Sequence, residues 1–294
     1  MRTSSDATDA VRFRAMGTQV SLLGPPSPRW AKATRAVQRR FGSEERRFSR
    51  FLTHSELSRV NAAAGSWTDV SPAFEDVADL AIGAAARTEG RFDPSVLDAI
   101  LACGYDRDFD EVIAGARGAL RPPRPCGRWN EIERRPGRIL LPAGVSLDFG
   151  GIAKGWTVDR AAEDAVAAGL PWALVDAGGD LRLNGDAPEL EVAVEDPERP
   201  PTELVRLRLR TGALATSTTA KRAWGPGLHH LIDPATGAPA TGRVIQATVW
   251  APTCAEAEVA AKDALLRDDA EASAQPGVLL TADGQVTVSV EEAA

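Results

Sequence analysis

The run Ser146-Leu147-Asp148-Phe149-Gly150-Gly151-Ile152-Ala153-Lys154-Gly155-Trp156 constrains this chain more than any other stretch. It reads as the end of a strand, a two-glycine turn and the first turn of a helix. Glycine pairs let a backbone approach a ligand closely, because no Cβ intervenes. The free N–H groups of a helix start attract phosphate. Asp148 stands on the strand side of the turn and Lys154 on the helix side, so the carboxylate suits a metal ion or a polar ring edge beside that phosphate. The same residues also suit a tight strand-to-helix turn closed by a surface ion pair.

Around this run the pattern alternates in period but not strictly in order. Val11 to Leu23 reads as a strand interrupted at Met16-Gly17-Thr18, and Trp30, Ala33, Val37 and Phe41 keep helical spacing. Thr53 with Glu56 and Thr253 with Glu256 read as capping boxes, and Ser71-Pro72 as a helix start. Val145 to Phe149 reads as a strand, as do the segments around Ala173–Val175, Leu190–Val194, Val205–Arg210, Leu214–Ser217 and Ile245–Trp250. Val278–Leu280 and Val286–Val290 read as a closing hairpin. Residues 104–136 read as a loose helix and an irregular connection outside the core, and residues 1–10 as disordered. The expectation is a mixed α/β (α+β) fold, in a chain whose 294 residues suit one large or two modest domains.

Composition narrows the function classes. A chain of 294 residues with 44% apolar content can bury a sizeable core. A net charge of −7 argues against a nucleic-acid binder, which needs a basic face. Three scattered cysteines make no zinc pattern and suit a reducing compartment. Without an apolar leader at Met1–Ala10 or a membrane-length apolar run, the expectation is a cytoplasmic protein.

Four polar segments fall at element ends: Asp148 to Lys154, Asp176 to Asp180, Thr216 to Thr219 and His230 to Asp233. The loops Met16-Gly17-Thr18 and Arg91-Phe92-Asp93 are compatible with ligand contact. Gly150 to Gly155 match neither a P-loop nor a dinucleotide fingerprint. Of the adjacent His229 and His230, only one can face a given pocket from a strand. It is either a histidine satisfied by Asp233 or backbone, or a general base titrating near neutrality.

In order along the chain, FRAMGTQVSL, SRFLTHSELSRVN, GRFDPSV, LDFGGIAKGWTVDRA, DAGGDLRLNG, LATSTTAKR, HHLIDPATGAPA and VWAPTCAEAEVAAKDAL resemble the ApbE family, the FAD:protein FMN transferases. The resemblance implies a T-fold-like architecture, with residues 11–294 forming one domain of two lobes around an FAD-binding cleft. It also implies a magnesium-dependent reaction that moves FMN from FAD to a threonine or serine hydroxyl of an acceptor protein and releases AMP. Carried over by position, Met16, Phe51, Arg91, Phe92, Asp93, Asp148, Lys154 and Ile232 would contact FAD, Asp148 at a ring edge and Lys154 at the phosphates. His230 would be the base that activates the acceptor hydroxyl, with Asp233 beside it in the catalytic set. Gly151 would offer its carbonyl to the metal.

The second metal-binding segment of the family carries aspartate and, four residues on, threonine; here those positions are Glu258 and Lys262. Glutamate still offers oxygen, whereas a protonated lysine cannot be a ligand. Either Lys262 replaces the cation electrostatically, or the metal is weak or displaced. Two other readings stay open: an FAD pyrophosphatase giving FMN and AMP, and a non-catalytic FAD-binding module.

Overall fold

Local chemistry sets most element boundaries in the computed structural model, which describes residues 8–115, 118–268 and 276–289. The chain begins with β1 (Asp9–Ala15), β2 (Thr18–Gly24), α1 (Trp30–Phe48), α2 (Glu56–Ala62), β3 (Trp67–Asp69), α3 (Pro72–Arg87), α4 (Leu97–Ala102) and α5 (Phe109–Ile113). It continues with β4 (Glu133–Arg135), β5 (Arg138–Leu140), α6 (Ala153–Ala167), β6 (Trp172–Ala177), β7 (Asp180–Gly185), β8 (Leu190–Glu195), β9 (Glu203–Leu209) and β10 (Gly212–Thr218). Last come β11 (Ala223–Gly225), β12 (Leu228–His229), β13 (Ile232–Asp233), β14 (Ala238–Pro239), β15 (Val244–Ala251), α7 (Cys254–Arg267), β16 (Gly277–Thr281) and β17 (Val286–Ser289). Among the described residues no helix is long and apolar enough to cross a membrane.

Two compact units share these elements: residues 1–43, 154–218 and 243–294 form the first, and residues 44–153 and 219–242 the second. The first is built on an eight-stranded antiparallel sheet in the order β1-β2-β6-β7-β10-β15-β16-β17. Successive side chains of a strand point to opposite faces. Ala173 and Val175 of β6 therefore join Val37, Phe41, Val158, Ala162 and Ala257 in a helix-covered core. Leu174 between them packs with Leu183, Leu190, Val192 and Leu209, under the β8–β9 ribbon. Alanines dominate the helix side and bring α6 and α7 close together. A Cβ added at Gly155 would lie 2.7 Å from the carbonyl oxygen of Cys254, so that approach needs glycine. Met16 and Gly17, at φ 50° and 67°, make the two-residue turn between β1 and β2, so the expected interrupted strand is a hairpin.

The second unit packs Phe48, Phe74 and Phe149 together, with the Phe149 ring 6.0 Å from that of Phe48 and 5.3 Å from that of Phe74. A further cluster joins Ile100, Cys103, Tyr105 and Val112 to Ile232. That corrects the expected irregular, non-core stretch 104–136: Tyr105 and Val112 are buried, and β4 lies within the stretch.

Three more expectations change. Val145 to Phe149 forms no strand. Its Leu147 instead exchanges hydrogen bonds with one side chain, donating to Asn61 Oδ1 at 2.8 Å and accepting from Asn61 Nδ2 at 2.9 Å. The cap of α2 is Ser55, whose Oγ accepts from Ser58 N–H. Thr53 does not serve, because Glu56 is taken by Ser71, accepting from its N–H at 2.6 Å and its hydroxyl at 2.7 Å. Asp9 and Ala10, expected to be disordered, belong to β1, while residues 1–7 and Val290 lie outside the described residues.

Candidate functional site

The first unit gathers four charged side chains from three elements. Lys154 lies in the first turn of α6, Asp180 begins β7, and Glu258 and Lys262 stand one turn apart on α7. Glu258 is 1% exposed. Its Oε2 accepts from Gly155 N–H at 2.9 Å, and its Oε1 accepts from Lys262 Nζ at 3.2 Å. Lys154 Nζ lies 3.6 Å from the same Oε1 and is ion-paired with Asp180. Burial pushes the Glu258 carboxyl up, but the two ammonium groups and the Gly155 N–H outweigh it and hold the group below the usual range.

Asp180 extends this cluster into the sheet. Its Oδ1 accepts from Thr216 N–H at 3.3 Å, and the Thr216 hydroxyl is 2.9 Å from that of Thr248. The turn before it is a Gly178-Gly179 pair at φ 67° and 96°, closed by Gly179 N–H donating to Asp176 Oδ1. One turn further along α6, Asp159 accepts from Cys254 and Ala255 N–H at 2.7 and 3.0 Å, capping α7. Burial raises its carboxyl to about 6 despite those bonds and the nearby Arg182 and Arg160.

In the second unit, Arg50 organises a polar and aromatic cluster. Its guanidinium lies 4.3 Å from the ring centres of both Phe51 and Tyr105. Arg50 Nε lies 2.9 Å from Asp148 Oδ2, and Nη1 donates to the Tyr105 carbonyl at 2.7 Å. Asp148 Oδ1 accepts from Gly150 N–H at 2.6 Å, the turn expected from the paired glycines. The Trp224 ring lies 5.1 Å from that of Tyr105, tilted by 42°, and its N–H donates to the Cys103 carbonyl. Phe51 keeps 38% of its surface exposed, so the cluster presents a flat ring.

Asp93 and Asp233 meet around Cys126 in the same unit. Burial pushes the Cys126 thiol up to about 12, and the charges of Asp93 and Asp233 add to it. Asp93 Oδ1 accepts from Ser95 N–H and hydroxyl at 2.7 and 2.6 Å, yet burial still raises its pKa. Asp233 accepts from Ala235 N–H and the Thr236 hydroxyl, so its carboxylate shapes the Asp-Pro turn. His229 is committed to structure. Leu231 N–H donates to its Nδ1 at 3.3 Å, which makes Nε2 the donor to the Ala240 carbonyl at 3.0 Å, and burial lowers its pKa.

Other expected site residues have mainly structural surroundings. Met16 occupies its hairpin turn, and Arg91 Nη1 pairs with Glu89 at 3.4 Å. Phe92 is buried and donates its N–H to the Thr88 hydroxyl, while Ile232 belongs to the Tyr105 cluster. The expected metal donors divide between the units, Gly151 in the second, Glu258 and Lys262 in the first. Among the described residues no three acidic, histidine or cysteine side chains are placed to hold a metal. With both Glu258 oxygens engaged and an ammonium at position 262, the donor set does not fit magnesium. Sequence reasoning left Asp180, Arg50, Tyr105 and Trp224 out of the site. Only Asp180 carried a signal, as the end of a polar segment.

A model described as the ApbE family matches residues 16–275. The FAD:protein FMN transferase of Klebsiella pneumoniae (strain 342) is 28% identical over 262 residues, covering 83% of this chain and 74% of that protein. The FAD:protein FMN transferase of Rhodobacter capsulatus is 34% identical over 204 residues, 64% of this chain and 38% of its own length. The ApbE protein of Thermotoga maritima MSB8 has the same fold, at a TM-score of 0.84 and 24% identity over 96% of this chain and 97% of that one. The flavin transferase ApbE of Vibrio cholerae matches at a TM-score of 0.77 and 24% identity, over 96% and 98% of the two chains.

Proposed function

This chain belongs to the ApbE family, and from that premise we propose that it is an FAD:protein FMN transferase. The observation that carries the reading is the extent of the family match, residues 16–275, which takes in every residue singled out from Met16 to Lys262. In this reaction an acceptor hydroxyl attacks the phosphorus on the FMN side of the FAD pyrophosphate. A new phosphoester bond forms, the bond to the AMP oxygen breaks, and AMP leaves. The acceptor is a protein bearing a threonine or serine.

The geometry supports a division of labour. The exposed ring of Phe51, stiffened by Arg50 and Tyr105, suits stacking against a flat ring system. Asp148, held by Arg50 and Gly150, suits the ring edge. Lys154 offers an ammonium to the phosphates, with Asp180 and Glu258 fixing its position. His230 takes the part of the base that the family resemblance gives it, and Asp233 shapes the turn that follows it. Arg91, Phe92 and Asp93 complete the FAD contacts that the family resemblance implies. The unpaired thiols of Cys103, Cys126 and Cys254 suit the reducing cytoplasm.

The test is FAD with a threonine-bearing acceptor peptide, read as flavin fluorescence on the peptide in a gel. Transfer is expected, with AMP formed in equal amount; AMP without labelled peptide would favour hydrolysis instead. His230→Ala should lower transfer by roughly 10²–10⁴-fold with FAD binding retained. Full activity in that variant would remove His230 from the base role.

A further inference from the structure

The resemblance calls for a divalent cation at Glu258, and the side chains gathered there already supply one in another form. Lys154, Lys262, Asp180 and Glu258 form a connected group of two positive and two negative charges. Without Lys262 the same group carries one net negative charge in a poorly hydrated place, a balance that draws in a cation. Lys262 meets that demand from within the chain. Its side chain is 14% exposed and its ammonium is 3.2 Å from Glu258 Oε1, one helical turn away on α7. A magnesium ion at that oxygen would sit against two ammonium groups, a repulsion that is large where water is scarce.

We propose that the Lys262 ammonium is a built-in cation that takes the charge role of a divalent metal at Glu258, so that this chain handles FAD without one. The consequence for turnover rests on the transferase reading; the statement about the site does not. The family pattern puts a neutral oxygen donor at this position, so a single side chain would decide between a metal-dependent and a metal-free form of one site.

The site is tested with Mn²⁺ as an EPR-visible probe, titrated into the full chain with and without FAD. Wild type should bind Mn²⁺ at least about tenfold more weakly than Lys262→Thr, which removes the ammonium and restores an oxygen donor. Lys262→Ala should move in the same direction and covers the case in which the threonine variant fails to fold. EDTA should leave wild-type flavin transfer unchanged and abolish whatever transfer Lys262→Thr shows with magnesium. Equal Mn²⁺ affinity in wild type and variants would overturn the proposal, as would loss of wild-type transfer in EDTA. A chain that transfers no flavin under any condition refutes the transferase reading, and the Mn²⁺ comparison then decides the site by itself.

Discussion

Asp159 gives stability a pH dependence that can be read from one side chain. Its folded-state pKa of about 6 lies above the 3.8 of a free aspartate, so between those values the folded chain holds more protons than the unfolded one. The contribution of Asp159 to stability is therefore fully present below about pH 4 and is lost as pH rises through about 6. Urea unfolding from pH 4 to 7 should show this fall as the difference between wild type and Asp159→Asn. The variant, which carries no charge to bury, should show no such fall across this range. Single residues were legible in the sequence where their partner is local. Lys262, marked by its departure from the family's threonine, meets Glu258 one helical turn away. Asp180 and Arg50 did not stand out, because sheet order and a folded-back loop bring Lys154 and Tyr105 to them.

Elements that carry their own punctuation were equally legible. Ser71 caps α3 as its pairing with Pro72 implies, and Thr253 Oγ accepts from Glu256 N–H at the start of α7. Val145 to Phe149 misled for a physical reason. Its buried residues Val145, Leu147 and Phe149 alternate as in a strand, but the hydrogen bonds go to a side chain distant in sequence. Asn61→Leu should leave both Leu147 groups unpaired, at a loss on the order of 1–3 kcal/mol for each. Thermal unfolding measures the loss, and faster amide exchange at Leu147 would locate it. Unchanged stability would mean that water replaces the amide.

At the level of the whole molecule, the chain passes between its two units at residues 43/44, 153/154, 218/219 and 242/243, so neither is a continuous piece of sequence. A fragment of residues 44–153 lacks Ile232 and Trp224, which complete the cluster around Tyr105. Expressed alone, that fragment should show helical signal with fluctuating packing, seen as dye binding and poor amide protection; a sharp cooperative transition would contradict this. The fold class was legible in the mixed periodicities, but the boundaries of the two units were not, because they depend on segments that return late in the chain. The two-glycine run acquires a further meaning here. Asp148, Gly150 and Gly151 belong to the second unit and Lys154 to the first, so this short stretch is a joint as well as a turn. A helix turns about 100° per residue, so one inserted residue after Gly151 would put another side chain where Lys154 meets Asp180 and Glu258. The length of the run is a phase setting: it fixes which side chain of α6 faces the carboxylates of its own unit.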